Sequence, residues 1–169
     1  GYPAGSAVTA PGCAPHCTVW HHSRMTAEKP TDCVFCQMMS GEQPAHVVLD
    51  EPEVFAFLDV RPLFKGHVLV IPRQHHVTLP DLPAEQVGPF FAAVQRVAAV
   101  LPAALDVHGT FVAVNNVVSQ TVHHLHAHVV PRRRKDGLRG FFWPRQKYAD
   151  GEAAQYAQRI AAALRASGS

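Results

Sequence analysis

Charge of one sign is scarce in this sequence. Lysine and arginine together number 15 and aspartate and glutamate 13, a formal net charge of +2 over 169 residues. That balance excludes the broad electrostatic footprint of a general nucleic-acid binder. Aromatic residues make up only 8%, and no spread of them along a basic groove is evident, which an RNA surface built on stacking platforms would need. No apolar run approaches the ~20 residues of a membrane-spanning helix. The first residues lack an apolar segment leading into a cleavage site. There is no internal repeat, which argues against stacked or solenoid architectures. These absences point to a soluble chain with no membrane partner.

What is present is a hydrophobic fraction of 47%, enough for one domain with its own core, and an excess of histidine. Twelve histidines accompany four cysteines. Cys33 and Cys36 form a Cys-x-x-Cys pair, and in so histidine-rich a chain this favours a metal or a reducing, cytoplasmic setting over a disulfide scaffold.

Residues 1–31 read as a flexible tail or leader, rich in Gly, Pro, Ala, Ser and Thr without periodicity. Met25 is a candidate start within it. Cys13, His16, Cys17, His21 and His22 are metal-capable types, but the composition around them argues against a second site. The catalytic domain is expected over 32–169. Cys33–Ser40 reads as a short helix or turn. His46–Leu49, Val54–Leu58, His67–Ile71, Thr110–Val114 and Val122–Val130 read as strands. Ala84–Leu105 is the longest helical pattern, with Val87, Phe91, Val94, Val97, Ala98 and Leu101 as its apolar face. Its prolines predict a regular helix only from about Pro89 to about Val100. Glu152–Arg165 suggests a terminal helix. The order of elements argues for an α+β domain with an antiparallel sheet rather than repeated βαβ units.

The decisive segment is Thr121-Val122-His123-His124-Leu125-His126-Ala127-His128-Val129-Val130-Pro131. On a strand His124, His126 and His128 share one face, roughly 6.6 Å apart along the backbone, while Leu125, Ala127 and Val129 pack on the other. Three imidazoles kept together need hydrogen bonds or metal ligation. A neutral ring can attack phosphorus through one nitrogen while a carbonyl accepts from the other. A second ring can orient a phosphate oxygen or leaving atom, and a third can tie the strand to a neighbour. Spacing alone does not distribute these roles, and a metal-only cluster competes. The preceding run Asn115 to Thr121 supplies carboxamides and hydroxyls suited to phosphate oxygens, or to a turn.

The run His124-Leu125-His126-Ala127-His128-Val129-Val130, with Gln120-Thr121 before it and Pro131-Arg132 after it, resembles the histidine triad (HIT) superfamily. From Cys33 to Tyr148 the chain is similar to its zinc-containing bacterial branch. The resemblance implies a HIT-like α+β homodimer and a hydrolase that forms a covalent nucleotidyl-histidine. By position His126 is the nucleophile at the α-phosphorus, and His128 contacts the phosphate and aids the leaving group. Gln120 and Thr121 sit beside the same phosphate, with Asn116 a further neighbour. Asp59 matches the residue that binds ribose hydroxyls, and Phe55 and Phe57 are neighbours suited to lining the base pocket. Ser119 stands where relatives usually have glycine, and the loop after Asn116 is short and apolar.

Cys-x-x-Cys by itself fits zinc, a redox pair, a disulfide or two ordinary thiols; no strand precedes it to favour a thioredoxin-like site. The resemblance adds His75 and His124 as the remaining ligands of a structural Zn2+, with His76 the alternative one residue on. Mg2+ can accompany a polyphosphate substrate without being required. His67 is placed near the active centre and outside the catalytic set. The basic run Arg132 to Lys135 suits either further phosphates or a solvated loop, and the aromatics of Gly140 to Arg145 suit packing. The implied reaction is hydrolysis of a dinucleoside polyphosphate or nucleoside phosphoramidate. A nucleotidyltransferase or phosphorylase, and a non-enzymatic, zinc-stabilised nucleotide-binding module, are the competing classes.

Overall fold

The computed structural model describes residues 32–138 and 146–167, with only the backbone of Leu164 and Ser167. The expected tail, its cysteines and histidines, and the aromatic run before Gln146 lie outside the described residues. Two compact units divide at Pro131 and Arg132.

The first unit is built on a five-stranded antiparallel sheet. In chain order come α1 (Val34–Ser40), β1 (Val47–Asp50), β2 (Val54–Leu58), β3 (Val68–Pro72), α2 (Ala84–Leu105), β4 (Gly109–Val114) and β5 (Ala127–Arg132). The spatial order is β1-β2-β3-β5-β4. β3 pairs with β2 through Phe55↔Ile71 and Phe57↔Leu69, and with β5 through Leu69↔His128.

Strand alternation gives the sheet two different faces. Val54, Ala56, Val68, Val70, Leu125, Ala127 and Val129 point to one, where Phe90, Ala93, Val94, Val97 and Leu101 of α2 cover them. Phe55, Phe57, Leu69 and Ile71 point to the other, against Cys33, Phe35 and Cys36. The helix α1 and its Cys-x-x-Cys therefore lie on the face to which the histidines project.

Two expectations change here. α2 runs its full 22 residues with Pro89 and Pro102 inside it, rather than stopping at its prolines. Both are only partly buried, and each costs one intrahelical hydrogen bond that packing offsets. Its buried stripe begins at Phe90; Val87 and Phe91 are exposed. By length and a mean hydropathy of 1.4 α2 matches a membrane span, yet its buried stripe covers the sheet, as in a core helix.

The histidine segment also departs from a continuous strand. β5 begins only at Ala127. Upstream, the Leu125 amide donates to the His76 carbonyl at 2.6 Å, and the Pro72 carbonyl accepts from a side chain, His124 Nε2. Pro72 has no amide to offer. On the side facing the histidine segment it thus offers no ladder, and residues 121–124 form bends instead of strand.

At the entry to β3, Gly66 has φ of 92°, a left-handed conformation that glycine adopts without Cβ strain. It sets the chain direction into His67. In the second unit Arg132 gives its guanidinium to Asp136 and to the Leu138 carbonyl, so this member of the basic run is spent on its own turn. α3 (Glu152–Ser167) places Tyr156 against Tyr148, ring centres 5.9 Å apart.

Candidate functional site: two histidine clusters flanking His126

His124, His126 and His128 extend from the sheet on the α1 side, as alternation requires. His124 is fully buried and His126 is 4% exposed. Phe35 of α1 packs edge-on against His126, ring centres 5.4 Å apart, and also meets His124. This contact has no marker in the sequence beyond a phenylalanine between two cysteines.

The His126 ring is fixed by its own backbone. Nδ1 lies 2.7 Å from the His124 carbonyl, which can only accept, so Nδ1 carries a hydrogen and Nε2 is the nitrogen not used by this bond.

On one side of His126 stands a group of four donors. His124 Nε2 donates to the Pro72 carbonyl at 2.9 Å, which leaves Nδ1 bare and turned to sulfur. Nδ1 is 3.5 Å from Cys33 Sγ and 3.6 Å from Cys36 Sγ; His75 Nδ1 is 3.5 Å from Cys36 Sγ. A tetrahedral ion with Zn–S of ~2.3 Å and Zn–N of ~2.0–2.1 Å demands sulfur–nitrogen edges of ~3.6 Å. The four ligand atoms lie within 4.8 Å of one another. Burial holds the protonation of His124 down to about 4, with smaller repulsion from His75 and His126, and burial likewise lowers His75. Neutral imidazoles are the form that binds metal. The donor set, its spacing and its protonation all fit a structural zinc, and they select His75 rather than His76. The Nε2 of His76 is buried and has no hydrogen-bond partner among the described residues.

On the other side are Asp59, His67 and His128. His67 is 2% exposed. Its Nε2 lies 3.0 Å from His128 Nδ1, and its Nδ1 lies 3.3 Å from the Leu63 amide and 3.4 Å from Asp59 Oδ2. Asp59 Oδ1 accepts from the Arg61 amide at 2.8 Å. His128 and His126 are neighbours, ring centres 4.9 Å apart. Burial, then repulsion from His126 and His67, keeps His128 neutral down to about 4. His67 is also lowered, chiefly by burial, with Asp59 opposing. These three side chains are close enough for a cation, but the hydrogen bond between the two imidazoles uses nitrogens a cation would require. Sequence reasoning places His67 near the active centre but outside the catalytic set; the structure bonds it to His128.

The remaining candidates are spread around this core. Gln120 is 6% exposed and both ends of its carboxamide are engaged: Nε2 donates to the Val77 carbonyl and Oε1 accepts from the Val117 amide. Asn116 Oδ1 accepts from the Leu79 amide at 2.8 Å. Val117 and Ser119 have φ of 67° and 62°, so the short loop holds two non-glycine residues in the left-handed region. Thr121 is exposed and lines an open cleft of about 320 Å³ beside Cys33, His75 and His123. Phe55 and Phe57 are 3% and 2% exposed and packed on each other.

Known proteins match this arrangement. The HIT domain profile matches residues 40–135. An uncharacterised HIT-like protein of Mycobacterium tuberculosis is 40% identical over 108 residues, 63% of this chain and 75% of its own length. The adenosine 5′-monophosphoramidase of Saccharomyces cerevisiae is 31% identical over 137 residues, 79% of this chain and 83% of its own. A zinc-bound histidine triad protein of Mycobacterium smegmatis superposes with a TM-score of 0.61 at 37% identity, covering 78% of this chain and 97% of that one. With its histidine array on the α1 face of an α+β sheet and the domain profile spanning most of the first unit, the chain belongs to the HIT family.

Proposed function

We propose that this protein is a nucleotide hydrolase that cleaves at an α-phosphorus through a covalent nucleotidyl-His126 intermediate, acting on a nucleoside phosphoramidate or a dinucleoside polyphosphate. The observation that carries the reading is the 2.7 Å hydrogen bond from His126 Nδ1 to the His124 carbonyl. It ties down Nδ1 and turns Nε2 away as the nitrogen available to a nucleophilic role. The yeast relative's phosphoramidase name supports the substrate class.

In this reading His126 Nε2 attacks phosphorus and the bond to the leaving group breaks. A proton relayed from solvent past His128, beside the attacking ring, goes to the leaving atom, and the water of the second step returns a proton to solvent. Water then attacks the nucleotidyl-histidine, His126 leaves as a neutral ring, and a nucleoside monophosphate is released. Thr121 offers a hydroxyl to the phosphoryl oxygens as charge develops on them. Asp59 faces the ribose. Gln120 acts by holding the loop, since its amide is already occupied on both sides. Cys33, Cys36, His75 and His124 would hold zinc, which supplies structural cross-linking of α1 to the histidine segment and leaves the chemistry to the imidazoles.

Rapid quenching with substrate labelled at the α-phosphorus tests this reading. Label attached to His126 at early times, lost on completion of turnover, is the expected result. No histidine-bound label under conditions of steady product release rejects the covalent route. With a phosphoramidate substrate, adding inorganic phosphate during turnover separates a hydrolase from a phosphorylase: the hydrolase yields only the nucleoside monophosphate, the phosphorylase a nucleoside diphosphate.

A further inference from the structure

The four donors beside His126 come from three separate stretches of chain, and two of them share one turn. Cys33 is the N-cap of α1 and Cys36 lies in its first turn, with the Gln37 amide donating back to the Cys33 carbonyl at 3.0 Å. Val34 and Phe35 between them are helical, which sets the two Cα atoms ~5 Å apart. A disulfide accepts Cα separations of ~4.4–6.8 Å. The two sulfurs already lie within 4.8 Å of each other. His75 and His124, by contrast, enter from 39 and 88 residues beyond Cys36. The sulfurs can therefore join by turning about their own side chains, and neither imidazole follows them.

Cys33 is also the thiol that a small molecule reaches. It borders the open cleft shared with Asp32, Thr121 and His123, and it is the more exposed of the pair, 8% against 4%. Phe35, between the two cysteines, rests edge-on against His126 with ring centres 5.4 Å apart and against Phe57 at 5.2 Å. A change at the sulfurs is thus one residue from the ring that walls in His126.

We propose that Cys33 and Cys36 are a peroxide-sensitive pair whose oxidation to a disulfide expels the zinc and loosens the seat of His126. This rests on the zinc fit of the four donors, and on the hydrolase reading only for its effect on turnover. The Cys33 thiolate attacks hydrogen peroxide entering the cleft: a sulfur–oxygen bond forms, the oxygen–oxygen bond breaks, and hydroxide leaves. The Cys36 thiolate then attacks the Cys33 sulfur, closes the disulfide and expels a second hydroxide. Two thiolates have given two electrons to one peroxide. The two hydroxides take protons from the buffer and become water, and zinc departs as the dication it was. His75 and His124 alone do not make the four-ligand set that a structural zinc needs. A tie reaching 88 residues along the chain is exchanged for one that closes a single turn, and closing so short a loop stabilises little. α1 then keeps only apolar contacts such as Phe35 on Phe57, and His126 loses a fixed neighbour.

The test treats the zinc-loaded full chain with hydrogen peroxide, following zinc release with a chelating dye and the cysteines by peptide mapping in a mass spectrometer. The peptide carrying Cys33 and Cys36 should lose two hydrogens relative to its reduced form, at the rate at which zinc appears. The oxidised protein should melt below the zinc form even though it has gained a covalent crosslink. Its kcat should fall by about tenfold or more, the effect of a misplaced ring. Dithiothreitol with added zinc should restore both melting and turnover, and dithiothreitol with a chelator should restore neither. Zinc retained through the treatment, or released with oxygen added to the sulfurs and no disulfide, overturns the pair. A disulfide that leaves melting and kcat unchanged overturns its link to His126. A chain that takes up no zinc overturns the proposal at the outset. Absence of turnover in both states, with the disulfide and zinc release as expected, rejects the hydrolase reading alone.

Discussion

Two groups of histidines flank His126, and they are built to opposite specifications. In the metal group one carbonyl fixes a ring: Pro72 dictates that His124 Nε2 carries hydrogen, and the other nitrogen is left facing two thiols. In the Asp59–His67–His128 group one nitrogen has both a donor and an acceptor beside it, and another has no hydrogen-bond partner among the described residues. The first arrangement fixes geometry; the second keeps proton positions adjustable. A centre that must hold a nucleophile still while moving protons past it needs both.

The comparison can be broken from several directions. The largest effect is expected at the residue between the groups: His126→Gly should lower kcat by about 10⁴-fold or more, measured as nucleotide release by chromatography, with a lower melting temperature from the cavity left beside Phe35. Wild-type turnover in that variant removes the nucleophile. Next comes the fixed group. Purified protein should hold about one zinc per chain by elemental analysis, and Cys36→Ser or chelation should strip it and lower the unfolding temperature markedly. A chelated protein with an unchanged melting curve would show that the thiols and imidazoles need no ion to stay together.

The adjustable group should respond in activity rather than in fold. His128→Asn should cost about 10²–10⁴ in kcat while zinc content stays the same; a simultaneous loss of zinc would mean the two groups are one. The smallest effect is on acid stability. His128 has a folded value of about 4 against ~6.5 unfolded, so the unfolded chain binds the extra proton first. Its contribution is whole above pH ~6.5, declines as pH falls, and is gone below about 4. Denaturant midpoints at pH 7 and pH 4.5 should therefore differ less for His128→Asn than for wild type.

Much of this was legible in the residues. The alternation of Leu125, Ala127 and Val129 with the histidines survives in the structure although β5 begins only at Ala127, because the Leu125 amide on the His76 carbonyl and His124 Nε2 on the Pro72 carbonyl hold the residues before it in place. β2 and the limits of α2 follow directly from pattern. The face of α2 was harder to read: Phe90 and Phe91 are adjacent, both fit a spacing of three or four, and only packing against Val54 and Val68 selects the first. The proline rule underestimated the helix because it counts a lost hydrogen bond and not the sheet beneath. At the site, spacing finds imidazoles but not what their second nitrogens touch. The carbonyls of Pro72 and His124 that settle two tautomers belong to the main chain, which every residue shares, so no letter marks them. Gln120 illustrates the converse: its side chain invites a phosphate contact, and the fold uses it as an internal strut.

The acceptor for His126 Nδ1 being a peptide carbonyl has a consequence for anyone engineering this centre. No point substitution can delete it, so conventional mutagenesis will leave the orientation of the attacking ring largely untouched. An ester linkage introduced after His124 would weaken that carbonyl and also remove the Leu125 amide's bond to the His76 carbonyl. Transplanting the chemistry to another scaffold means reproducing the bend of the polypeptide between positions 124 and 126, a requirement that copying three histidines does not meet.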